Sequence, residues 1–262
     1  MSSISILLFV ALLPVILICL FVYSKDKNKE PVKLLIKLFC LGIVSCFVTL
    51  VITNAITTII PFFGQDTSKM NFFETMLYAF IAVALIEEFS KWLMVYFAGY
   101  KDKEFNELYD IIVYSVFVSL GFACFENLLY VVPSGKLSTG VLRALLSVPG
   151  HACDAIFMGY FLSLAKVYRG QGQKAKEKRN IILSIIMPTI LHGIYDFCLM
   201  SKVTVLILIF IVFVTSLYVF SIRRLKLVET ANVKISYDNK YCPNCGIKVS
   251  GPFCKNCGTR QV

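Results

Sequence analysis

Long apolar runs alternate with short polar connections along most of this chain, and each run has the length of a membrane crossing. A spanning helix needs about 20 predominantly apolar residues. Runs of that size fall at about 3–23, 35–60, 74–98, 110–132, 141–166, 180–200 and 203–222. The pattern predicts an all-α polytopic membrane protein with about seven transmembrane helices in a lipid bilayer. It stops after Lys226. Residues 1–227 therefore read as a transmembrane domain, 228–237 as a polar tether and 238–262 as a second, very small module.

Composition agrees: 58% of the 262 residues are hydrophobic, against about 45–50% in soluble domains. The net charge of +10 invites a nucleic-acid reading, but its placement argues against one. Lys25, Lys27, Lys29 and Lys33 follow the first run, and Lys101 and Lys103 the third. Arg169, Lys174, Lys176, Lys178 and Arg179 follow the fifth, and Arg223, Arg224 and Lys226 the seventh. The alternate connections are nearly neutral. Basic connections stay cytoplasmic, which predicts a multi-pass cell-membrane protein with its N-terminus outside and its C-terminus in the cytosol. The first run has no basic residue ahead of it and no small-residue cleavage site, so it reads as a retained anchor.

The terminal module carries Cys242-Pro-Asn-Cys245-Gly and Cys254-Lys-Asn-Cys257-Gly. Two C-x-x-C knuckles are the ligand set of a tetrahedral structural zinc site. A module this small cannot bury a core, so metal binding would supply its folding free energy. A pair of disulfides is the alternative, and it needs an oxidising compartment. In the predicted topology the module is a cytosolic zinc ribbon, a surface for a cytosolic protein partner. Cys19, Cys40, Cys46, Cys124, Cys153 and Cys198 are scattered through the apolar runs without ligand spacing and read as buried apolar residues.

Ionisable groups inside the apolar runs carry the candidate chemistry, because each costs roughly 2.5–3.5 kcal/mol to insert. Phe80-Ile-Ala-Val-Ala-Leu-Ile-Glu-Glu-Phe-Ser-Lys-Trp92 places Glu87 and Glu88 one helical turn from Lys91. The fourth run holds Glu126 with Asn127 and Tyr130 beside it, and lacks a basic partner for Glu126 within itself. His151, in the fifth, follows Pro149-Gly150 and precedes Asp154, which could orient its ring or simply share its face. His192, in the sixth, lies four residues before Asp196 and one turn after Pro188. These are the chain's only two histidines. At 1.5 Å per residue Glu87, Glu88, Glu126, His151 and His192 fall roughly 9–21 Å below the outer surface, so they can share one cavity.

Together, Glu87-Glu-Phe-Ser-Lys91, Phe125-Glu-Asn-Leu-Leu-Tyr130, His151 with Gly159, and His192-Gly-Ile-Tyr-Asp196 resemble the PrsW family of intramembrane proteases. These are distant relatives of the CAAX-prenyl endopeptidases. The resemblance covers about 70–200 and not the tail. It implies Glu87, Glu88, Glu126, His151 and His192 as catalytic candidates; Lys91, Asn127, Tyr130, Asp154 and Asp196, by their spacing, read as supporting residues. It also implies a membrane-anchored substrate of the anti-sigma-factor kind, cut near its extracytoplasmic side. Two histidines and a glutamate suffice for a catalytic zinc, and a metal-free Glu/His mechanism fits the same residues. A proton- or solute-coupled transporter is the rival class, since carboxylate, lysine and histidine chains also serve as relays. A scaffold acting through its zinc tail is a third reading.

Overall fold

The computed structural model describes residues 3–231 and the backbone of two short antiparallel strands, Lys240–Tyr241 and Lys248–Val249. Cys242, Cys245, Cys254 and Cys257 lie outside the described residues. Seven helical stretches make up the rest: α1 (Ser3–Lys25), α2 (Val32–Ile59), α3 (72–100), α4 (Asp110–Ser134), α5 (Leu137–Gly170), α6 (Lys174–Met200) and α7 (Thr204–Ala231). A helical stretch lies at each of the seven expected positions.

Six of the seven are long and apolar enough to cross a membrane among the described residues. The third differs. It starts at a capping box between Asn71 and Glu74, then runs as Phe72–Leu77, a π-helical stretch Tyr78–Leu85, an α-helix Ile86–Val95 and a second π stretch Tyr96–Tyr100. Such π turns inside a helix are frequent at functional sites, and here one ends two residues before Glu87. No single α-helix of spanning length forms there, and the charged residues lower its hydropathy further.

The core forms around α4, the most buried of the spans. Glycines set how close its neighbours come. A Cβ built on Gly42 of α2 would stand 2.0 Å from the Val118 carbonyl oxygen, and one on Gly121 would stand 2.0 Å from that of Phe39. Backbone touches backbone at this crossing, the close approach that small residues permit in membranes. Along α2 the buried positions Leu35, Leu38, Gly42, Ser45 and Thr49 follow a three-four spacing, the stripe of a helix packed on one side. The opposite face carries Val44, Phe47 and Val51 outward, as lipid contact requires.

In α5 the backbone ladder is disturbed just before His151. Pro149 has no N–H to offer the carbonyl four residues earlier, and Arg143–Ser147 winds as a π turn. The Tyr218 hydroxyl of α7 donates to the Leu145 and Leu146 carbonyls at 2.9 and 3.3 Å, so those groups stay satisfied.

Candidate active site

Four helices bring their ionisable side chains to one nest. From α3, Lys91 Nζ donates to Glu88 Oε1 at 2.7 Å and lies 3.4 Å from Glu87 Oε2. It also sits 3.2 Å from His151 Nδ1 and 4.2 Å above the Phe122 ring. The Lys91 and Glu88 side chains have no solvent exposure at all. A buried ammonium among these groups is held by charge pairing, hydrogen bonding and a cation–π contact at once.

The two histidines are used differently. An ammonium only donates, so His151 Nδ1 accepts from Lys91 and the ring proton lies on Nε2. That nitrogen donates to Glu126 Oε2 at 2.9 Å. His192 faces carboxylates on both sides: Nδ1 is 2.8 Å from Glu88 Oε1, and Nε2 is 3.4 Å from Asp196 Oδ2 and 3.9 Å from Glu87 Oε2. The two rings stand edge to face with centroids 5.3 Å apart.

Glu126, which needed a partner from elsewhere, finds two. Besides His151, Arg143 of α5 donates from Nη2 at 2.7 Å, while Arg143 Nε donates to Asn127 Oδ1 at 2.6 Å. Asn127 in turn donates to the Ala11 carbonyl of α1 at 3.0 Å. The Arg143 guanidinium lies 4.5 Å over the half-exposed Tyr130 ring.

Asp154 does not orient the histidine of its own helix. Both His151 nitrogens are already engaged, and Asp154 Oδ2 instead approaches His192 Nδ1 at 3.9 Å. Arg143 was missed in the sequence, although a lone arginine near the start of an apolar run was a usable signal.

A cavity of about 430 Å³ opens beside this nest. Glu87, Glu126, Arg143, His151, Asp154, His192 and Asp196 line its polar side, and Leu142, Leu146, Leu199 and Leu217 its apolar side. Glu88 lies behind the wall. The adjacent glutamates thus differ in position: Glu87 meets the cavity, and Glu88 is fully buried against Lys91 and His192.

This arrangement of carboxylates, imidazoles and buried lysine on successive apolar helices is matched at family level. A model of the PrsW family of intramembrane metalloproteases matches residues 30–221. The chain belongs to the PrsW family. It is 36% identical over 215 residues to Protease PrsW of Oceanobacillus iheyensis, covering 81% of this chain and 91% of that one. With Protease PrsW of Bacillus subtilis it shares 34% identity over 223 residues, 84% and 94% of the two chains. With that of Clostridioides difficile the identity is 31% over 237 residues, 89% and 95% of the two. No solved structure matches. The PrsW match reaches well beyond the 70–200 motif core and stops before the cysteine-bearing tail.

The family description implies a metal, and the residues present fit one. Glu88, His151, Asp154 and His192 each offer a ligand atom, all within 4.8 Å of one another. Glu88 Oε2 and Asp154 Oδ1 are buried with no hydrogen-bond partner among the described residues. Two imidazoles and carboxylate oxygens are a donor set that zinc accepts. Glu88, not Glu126, is the glutamate in this group, because Glu126 lies on the Nε2 side of His151 and is held there by Arg143.

Proposed function

We propose that this PrsW-family protein hydrolyses a peptide bond of a single-span membrane protein inside the cavity walled by Glu87, Glu126, His151 and His192. The observation that carries this reading is their convergence from four helices on one cavity of about 430 Å³, with Lys91 buried behind it. Peptide hydrolysis there needs an activated water, a stabilised oxyanion and a proton for the departing amine.

Glu87 is the general base. It faces the cavity, whereas Glu88 spends its contacts on Lys91 and His192. The water oxygen bonds the scissile carbonyl carbon, the π pair moves onto the carbonyl oxygen, and the water's proton passes to Glu87. On collapse the pair returns, the C–N bond breaks, and the nitrogen leaves as an amine with a proton delivered by His192. Asp196 and Glu88 hold the His192 ring from its two sides. Glu126 fixes His151 through Nε2, and Lys91 fixes it through Nδ1. A metal held by Glu88, His151, Asp154 and His192 would take the place of the Lys91 contact on His151 Nδ1 and would supply a Lewis acid for the carbonyl.

The basic connections after α1, α3, α5 and α7 support a cytoplasmic placement of those ends and of the C-terminus. The cavity-lining Tyr130, Leu142, Leu199 and Met200 lie toward the opposite end, so cleavage occurs on the extracytoplasmic side. An anti-sigma factor cut there in a first processing step fits as substrate. In the cytosol, Cys242, Cys245, Cys254 and Cys257 bind a structural zinc and present a surface to a protein partner.

The test is processing of a co-expressed single-span anti-sigma factor. Glu87→Ala and His192→Ala abolish its cleavage in this reading; intact processing by either variant overturns it.

A further inference from the structure

Whether or not a metal polarises the carbonyl, the chemistry above assigns the oxyanion no hydrogen-bond donor from the protein. Both ring nitrogens of His151 are engaged by Lys91 and Glu126, and both of His192 face carboxylates. Lys91 is fully buried against Glu88. Arg143 differs from all of these. It lines the cavity and carries a fixed positive charge, and two acceptors and one ring hold its side chain in place.

A guanidinium has five N–H donors. Arg143 uses Nε on Asn127 and Nη2 on Glu126, while Nη1 has no hydrogen-bond partner among the described residues. Its side chain is only 17% exposed. Unspent donors on a preorganised cation in a secluded cavity are what a developing alkoxide needs, since such a group costs no reorganisation during reaction. The π turn explains the placement. Arg143 opens the Arg143–Ser147 turn that precedes Pro149, and Tyr218 pins that turn from α7.

We propose that Arg143 is a catalytic residue whose free N–H groups bind the oxyanion of the scissile carbonyl. The inference rests on the protease reading and adds to it the group that meets the negative charge. The remaining contacts of Arg143 aim it, with Glu126 and Asn127 as positioning residues.

The experiment uses the full chain in detergent and a synthetic single-span peptide with an Ala/Gly-rich outer half. Mass spectrometry of the products locates the cut made by the wild type. Two isosteres are then placed at that bond: an anionic phosphinate that mimics the tetrahedral intermediate, and a neutral hydroxyethylene. Arg143→Gln is expected to lower kcat by about 100-fold with little change in KM. It also weakens phosphinate binding by about 100-fold while leaving the hydroxyethylene within about 3-fold. Arg143→Lys keeps the charge, guards against a folding defect and restores part of both losses. Equal loss of both isosteres would mark a structural role and overturn the proposal, as would unchanged kcat with an unchanged phosphinate preference. A wild type that cuts nothing removes the protease reading itself, and the inference with it.

Discussion

His192 Nδ1 lies 2.8 Å from Glu88 Oε1, and this contact ties α6 to α3 at the carboxylate that also receives Lys91. The bond separates the two adjacent glutamates into different jobs. Glu88 closes a buried charge cluster, whereas Glu87 looks into the cavity.

The first prediction follows from that division. Glu88→Gln leaves Lys91 short of its closest counter-charge in a buried site, and breaking such a pair costs about 3–5 kcal/mol. Thermal unfolding in detergent should show a clear drop in midpoint for Glu88→Gln. Glu87→Gln should unfold close to wild type and lose cleavage. Equal midpoints for the two variants would contradict the assignment.

Tyr218 concerns the π turn. Its hydroxyl donates to the Leu145 and Leu146 carbonyls, just before Pro149. Tyr218→Phe strands a carbonyl and should cost about 1–3 kcal/mol. Cleavage should also slow, because Arg143 opens the same turn. The Phe variant is checked by unfolding and turnover in parallel; wild-type values for both would remove the role given to Tyr218.

At the other end of the bundle, Glu30 lies in the α1–α2 connection, buried and bonded by the Tyr114 hydroxyl. Burial pushes its carboxyl up to about 8. The folded protein therefore holds this proton to higher pH than the unfolded chain does. The stability it contributes is complete below the ordinary glutamate value and is lost as pH rises through about 8. The unfolding midpoint should fall between about pH 5 and pH 9, and Glu30→Gln should flatten that slope. A slope unchanged by the substitution would show that other groups carry it.

Metal content separates two sites. With all four tail cysteines replaced by serine in the full chain, the protein should retain metal at the Glu88, His151, Asp154 and His192 group. His151→Ala with His192→Ala on that background should lose it. Elemental analysis of the purified variants reads both; equal metal in the two proteins would exclude these histidines as ligands.

Much of this was legible in the sequence because the bilayer enforces a simple rule, apolar length for each crossing. The spacing of Glu87, Glu88 and Lys91 within a turn, and of His192 and Asp196, survived into three dimensions because helix geometry fixes it locally. Contacts between helices were not legible. Asp154 shares a face with His151 by spacing, yet it approaches His192, since Lys91 and Glu126 reach His151 first. Arg143 gains its meaning only when the π turn brings it against Glu126 and Asn127. The interrupted third helix was likewise hidden, because π turns leave no mark on an apolar stretch.

The most direct measurement is cleavage of a single-span peptide by the purified protein in liposomes, with products mapped by mass spectrometry and Glu87→Gln as comparison. Wild type should cut at one bond in the extracytoplasmic half of the span, and Glu87→Gln should slow that cut by at least about 100-fold. A Glu87→Gln protein that cuts the same bond at the wild-type rate would contradict the assignment of Glu87 as the base that activates water.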